Sequence, residues 1–367
     1  MRKIFQPISL YKGLEMLIDT AQEIRKNSYD VLIEKAHDKG NLLNLQLSAK
    51  QPNLLIYCND CEMEQSMMSE LALSQLCSRL GFPMRYVSML MNSREESLQR
   101  LVALNVNELL KADLHKNKSF LVRVYDGYVR AILSKSYVKY DSWEVLDDVE
   151  GQMSYLSDYD KSNLAITSSF ISEEVLQLRI IDTTPLLTSV DEDLFLGVQL
   201  TTSDVGIKVL EIKVFLYKLA CSNGLILPIQ HLGAYRQKHL RVDKEKFRES
   251  MLNIVSKFKD EYAERTEAFL LECNKIVIPD EFWDKESSFR AFLKKYFLLS
   301  EESLSAVKAF YVNNYGGRTV YDFANAITEY AHLGVRSAFE FDRKLFLEQK
   351  AGEFLNYAVK NPNHFVV

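Results

Sequence analysis

The chain has 367 residues, 47% of them apolar, so it can bury a sizeable core, and its length suggests about two or three lobes. Its net charge is −5, which argues against indiscriminate polyanion binding and confines any basic patch to part of the surface. No stretch approaches a membrane span, "MRKIFQPISLYKG" lacks the apolar run of a secretory signal, and the five cysteines read as reduced thiols, so the expectation is a cytosolic protein. Residues 11–27 read as an amphipathic helix, with Leu14, Leu17, Ile18, Ala21 and Ile24 at helical spacing. Leu43, Leu45 and Leu47 alternate as in a strand. Residues 64–80 predict a helix stopped by Gly81 and Pro83, and 93–112 predict another, with Ser93 and Glu96 as its capping box. The middle third is rich in strand patterns, with turns at "TTSDVG" (201–206) and "SNG" (222–224). Helical periodicity returns after residue 243. These patterns predict an α+β fold: a central antiparallel sheet, N-terminal helices and a C-terminal helical lobe. The expected divisions are 1–63, an N-terminal helix-and-strand extension; 64–242, an α+β core with hairpins; and 243–367, the helical lobe.

"RVYDGYVR" (123–130) is the most informative stretch. Asp126-Gly127 favours a two-residue type I′ turn. An unbroken register then sets Tyr125 opposite Tyr128, Arg123 opposite Arg130 and Leu121 opposite Ile132. Phe120, Val122, Val124, Val129, Ala131 and Leu133 would share the other, buried face. Two arginines directly opposite each other repel. An acidic covering element could neutralise them. So could a phosphate, with the tyrosines stacking bases. Lys135, Tyr137, Lys139 and Tyr140 continue the basic and aromatic mix. A second basic stretch, "AYRQKHLR" (234–241), carries Arg236, Lys238, His239 and Arg241; a solvated loop is the ordinary alternative.

Other chemistry has thinner support. Cys58 and Cys61 form a CxxC with no second ligand pair, so a zinc site is not expected. No HxxxH, HExxH, Walker A or GxSxG motif occurs. The acidic run 141–150 reads as the wet face of a helix that buries Trp143, Val145, Leu146 and Val149. No metal or cofactor is expected.

Four segments resemble a family of phage- and plasmid-borne proteins built on a domain of unknown function. They are "FLVRVYDGYVRAILSKSYVKYDSWEVL" (120–146), "VQLTTSDVGIKVLEIKVFLYKLACSNGLI" (198–226), "RQKHLR" (236–241) and "GGRTVYDFANAITEYAH" (316–332). The first two carry the more specific patterns, an Arg-x-x-Asp-Gly-x-x-Arg-Ala hairpin and a Cys-x-Asn-Gly-Leu turn. The resemblance covers about residues 65–335. It implies a mobile-element setting in a bacterial cytoplasm and singles out Arg123, Asp126, Gly127, Arg130, Cys221, Asn223, Gly224 and His239. The family brings no settled activity.

The sequence therefore points to a metal-independent binder of single-stranded DNA, acting in annealing, recombination or replication as a homo-oligomer. Arg123, Arg130, Lys135, Lys139, Arg236, Lys238, His239 and Arg241 would contact the backbone. Tyr125 and Tyr128 would stack bases, and Asp126, Gly127, Asn223 and Gly224 would shape turns. The first alternative is an interaction or anti-defence module gripping an acidic host or phage protein. The second is a metal-dependent nucleic-acid enzyme using Asp126, Asp147 or Asp204.

Overall fold

The computed structural model describes residues 2–4, 7–36, 43–47, 54–58, 66–186, 194–218, 223–226, 235–256, 262–284, 287–333 and 338–365. The chain begins with strands β1 (Arg2–Ile4) and β2 (Ile8–Ser9), helix α1 (Leu10–Lys26) and strand β3 (Ser28–Ile33). Leu10, Leu14, Leu17, Ala21 and Ile24 form the buried stripe of α1, as their spacing predicts. Strands β4 (Leu43–Leu47), β5 (Leu54–Cys58) and β6 (Ser66–Met68) precede helices α2 (Glu70–Leu80), α3 (Met84–Met91) and α4 (Glu96–Lys111). Ser69 caps α2 by accepting the Ala72 N–H at 3.1 Å, and Gly81 ends it in the left-handed region at φ 68°. The predicted capping box of α4 does not form: Glu95 is its N-cap, and Ser93 accepts the Glu95 N–H instead.

The predicted hairpin is β7 (Phe120–Tyr125) and β8 (Tyr128–Ser134), followed by helices α5 (Ser142–Ser154) and α6 (Asp158–Ser162). Then come β9 (Leu164–Ile166), β10 (Ser169–Ile171), β11 (Val175–Asp182), β12 (Leu194–Ser203), β13 (Leu210–Lys218), β14 (Asn223–Ile226) and β15 (Tyr235–Gln237). The C-terminal helices are α7 (Lys244–Ser256), α8 (Ala263–Lys275), α9 (Ser288–Tyr296), α10 (Glu301–Tyr315), α11 (Val320–Leu333) and α12 (Ala338–Lys360).

The fold is α+β, with two sheets among the described residues. The larger runs β1-β10-β11-β12-β13-β14, with β9, β2 and β15 joined at its margins, and every pair is antiparallel. The smaller runs β3-β7-β8-β6-β5-β4, with β6 and β8 parallel. One core lies between the smaller sheet and α2–α4. The other joins the larger sheet to α1, α5 and the C-terminal helices. The expected divisions cut across both cores. Residues before 64 are woven into the sheets through β1–β10, β2–β9 and β3–β7 pairing. The helices after 243 share their core with the larger sheet. Among the described residues no helix is long and apolar enough to cross a membrane.

Candidate functional site

Asp126 and Gly127 both take positive φ, 47° and 76°, as a type I′ turn requires, and Tyr125 pairs with Tyr128. The unbroken register stops there. Val124 pairs with Val129, but Arg123 pairs with Ala131 and Leu121 with Leu133. Arg130 is the extra residue of a β-bulge, and the bulge changes which face the following residues take. Ile132 joins Phe120, Val122, Val124 and Val129 in the helix-covered core. Ala131 and Leu133, expected there, instead pack with Leu121 against Val205.

The arginine face is covered as well. Arg123 and Arg130 are 2% and 1% exposed, so neither stands on an open sheet surface. Asp30 lies directly across from Arg123 on β3 and accepts from its Nε at 2.9 Å. Asp141 accepts from Nη1 and Nη2 at 2.7 and 2.5 Å, and the Asp204 carbonyl accepts from Nη1 at 2.5 Å. Burial opposes the charge on Arg123, but Asp141 and Asp30 hold its pKa above the ordinary guanidinium value. Four of the five Arg123 N–H donors are thus engaged by the protein's own oxygens on a buried side chain, which argues against its expected role as a phosphate contact.

Arg130 is paired less completely. Its Nη1 donates to the Glu173 carbonyl and lies 3.8 Å from Asp204 Oδ2. Its Nε is buried with no hydrogen-bond partner. Asp204 sits in the turn after β12, and its Oδ1 accepts from the N–H and hydroxyl of Ser142 at 2.8 and 2.7 Å. These donors belong to the first turn of α5, which is closed by a capping box between Asp141 and Glu144. Burial, with the Asp141 charge, pushes the Asp204 carboxyl up to about 6 against the opposing effect of Arg130 and Arg123.

These groups surround a cavity of about 240 Å³. Buried Arg123, Arg130, Ser142 and Asp204 form its floor, while exposed Arg25, Tyr29 and Lys139 stand at its rim. The Arg25 guanidinium lies 3.7 Å above the Trp143 ring, and Lys139 Nζ is 2.7 Å from Asp30 Oδ2. Four cationic side chains (Arg25, Arg123, Arg130, Lys139) thus meet three carboxylates (Asp30, Asp141, Asp204).

The other expected residues divide into buried and exposed sets. Tyr125 and Tyr128 meet edge to face, with centroids 5.7 Å apart, and Tyr128 donates to Glu173 at 3.1 Å, so the pair offers no free stacking platform. His239 is 5% exposed, stacks on Tyr137 and bonds Thr202 through Nε2 at 3.1 Å; burial lowers its pKa, so it is not a surface cation. Lys135 is exposed and paired with Glu34. Arg236, Lys238 and Arg241 are exposed, with Arg236 3.6 Å from Glu211. The two basic stretches adjoin: the Val138 N–H donates to the His239 carbonyl at 2.5 Å. Asn223 and Gly224, expected in a turn, pair with Lys218 and Tyr217 as the start of β14. Cys61 and Cys221 lie outside the described residues. Asp126 and Asp147 are exposed while Asp204 is buried, and among the described residues no group of three or more His, Cys, Asp or Glu side chains could hold a metal.

Arg25, Tyr29, Asp30, Asp141 and Trp143 were missed as site residues. Asp141 carries a legible local signal, the D-x-x-E capping pattern of "DSWE". Asp30 has none, because it is 93 residues from the arginine it pairs with. Comparison with family models, curated proteins and solved structures returns no match.

Proposed function

We propose that the protein binds single-stranded nucleic acid, DNA in preference, along the seam between the cavity mouth and the 236–241 stretch. The observation that carries this reading is the adjacency of the two basic stretches through Val138 and His239. Lys139 stands at the cavity rim, while Lys238 and Arg241 are exposed on the neighbouring segment. Backbone phosphates would follow these cations. Tyr29, 44% exposed at the rim, is the aromatic placed to stack a base, in the role first assigned to Tyr125 and Tyr128. The motif resemblance to phage- and plasmid-borne proteins supports a mobile-element setting, in which we place annealing or recombination as the use of such binding. Assembly into a homo-oligomer would align the seams of an otherwise acidic chain.

Anisotropy titration with labelled oligonucleotides at low salt tests the proposal. Binding should weaken as salt rises, and Lys238→Ala/Arg241→Ala should reduce both affinity and salt slope. Absence of low-salt binding, or no change in the double variant, would overturn it. A protein partner retained after nuclease treatment, with no oligonucleotide binding, would transfer the seam to the acidic-partner reading.

A further inference from the structure

We propose that the cavity beside the arginine hairpin receives a phosphomonoester, with Arg130 as its principal donor. The proposal deepens the nucleic-acid reading, and rests on it insofar as the phosphate belongs to the end of a strand. Two observations converge. Arg130 is 1% exposed and lines the cavity, yet its Nε has no acceptor. Buried polar groups are almost always hydrogen-bonded, and a guanidinium matches phosphate oxygens in geometry and charge. Among the cavity-lining side chains the cations exceed the carboxylates by one; Arg25 stands exposed at the rim over Trp143, with its acidic neighbour Asp147 outside the lining. The first turn of α5 lies in the wall through Ser142 and Trp143, but the Ser142 N–H is already taken by Asp204 and the turn is closed by the Asp141–Glu144 capping box, so the side-chain cations are the groups left to hold an anion.

Size and shape select the class. A cavity of about 240 Å³ is smaller than the usual pocket for a drug-sized ligand, roughly 300–1,000 Å³. It suits a headgroup or a chain end. Arg130 is buried and the rim cations are exposed, so a phosphate that reaches inward past the rim, as a chain end or free ion can, meets it more readily than one held mid-strand. An internal phosphodiester is thereby disfavoured, and either a terminal phosphate or a small free phosphate fits.

The sources are separated by titrating the full-length chain with orthophosphate and with three oligonucleotides of one sequence: 5′-phosphorylated, 3′-phosphorylated and without a terminal phosphate. Anisotropy reads the oligonucleotides and calorimetry reads orthophosphate. At least one phosphorylated strand should bind about tenfold or more tightly than the unphosphorylated strand, and orthophosphate should compete. Arg130→Gln should erase that preference. If Arg130→Gln does not fold, Arg25→Ala at the exposed rim should reduce it. Equal binding of all three strands with no response to orthophosphate would overturn the phosphomonoester site and leave the nucleic-acid reading standing. Binding of orthophosphate with no binding of any strand would do the reverse.

Discussion

The Arg123 guanidinium donates to Asp30, Asp141 and the Asp204 carbonyl while it is 2% exposed. Removing it would leave Asp141 without its two-pronged guanidinium partner and Asp30 with Lys139 alone. Arg123→Ala should therefore cost about 3–5 kcal/mol, read as a fall in the urea midpoint at unchanged slope. A loss below about 1 kcal/mol would show that the cluster does not hold the sheets together. Asp204 predicts a pH effect of opposite sign to that of an ordinary ion-paired carboxylate. Its pKa rises from 3.8 unfolded to about 6 folded, so the native state holds a proton that the unfolded state releases in that window. Its contribution thus favours folding at acidic pH, and that advantage is lost as pH rises from about 4 to 6. Asp30 acts the other way: burial works against its charge, but Arg123 and Lys139 hold its pKa low, and its contribution is lost only in more acidic solution. Asp204→Asn keeps an acceptor for Ser142 and removes the proton. The stability of the variant relative to the native chain should rise from pH 4.5 to pH 7; a constant difference would contradict the assignment.

The hairpin turn was legible because Asp126 and Gly127 satisfy its φ requirement locally, at 47° and 76°. The bulge was not, because an extra residue in β8 makes sense only when both faces of the hairpin are occupied. Arg130 can reach the Glu173 carbonyl while Ile132 stays in the helix-covered core. Strand β12 has a similar non-local requirement. Gly197 pairs with Ile181 on one side and Phe215 on the other. A Cβ placed there would lie 2.6 Å from the Phe215 ring and 2.7 Å from the Ile180 carbonyl. Gly197→Ala should destabilise the chain by about 1–3 kcal/mol through overpacking, against the usual gain from replacing glycine. A thermal midpoint unchanged or raised would refute the close approach.

Across the molecule, a second buried charge cluster ties the C-terminal helices to the larger sheet. Arg179 on β11 donates Nε to Gln199 at 2.8 Å and Nη2 to Glu348 of α12 at 2.5 Å, and Lys344 stands 3.5 Å from the same carboxylate. Glu348→Ala would leave two buried cations facing each other without their counter-ion. The expected loss is about 3–5 kcal/mol, with faster amide exchange in α12 than in the hairpin. Uniform exchange or an unchanged midpoint would show that apolar packing alone retains the helix. The same long reach joins segments on either side of the expected divisions, through charge pairs and strand pairs alike.

Local chemistry was enough to read the α+β class, the stripe of α1, the type I′ hairpin and the basic character of 135–139 and 236–241. Each depends on periodicity, turn conformation or composition within a few residues. Which charges meet was decided by the folded chain. Only the pairing of β3 with β7 sets Asp30 against Arg123, and only the packing of α5 and the turn after β12 encloses Arg130 beside Asp204. Coulomb attraction, desolvation and hydrogen-bond geometry act over a few ångströms in space, and sequence separation carries no record of that distance.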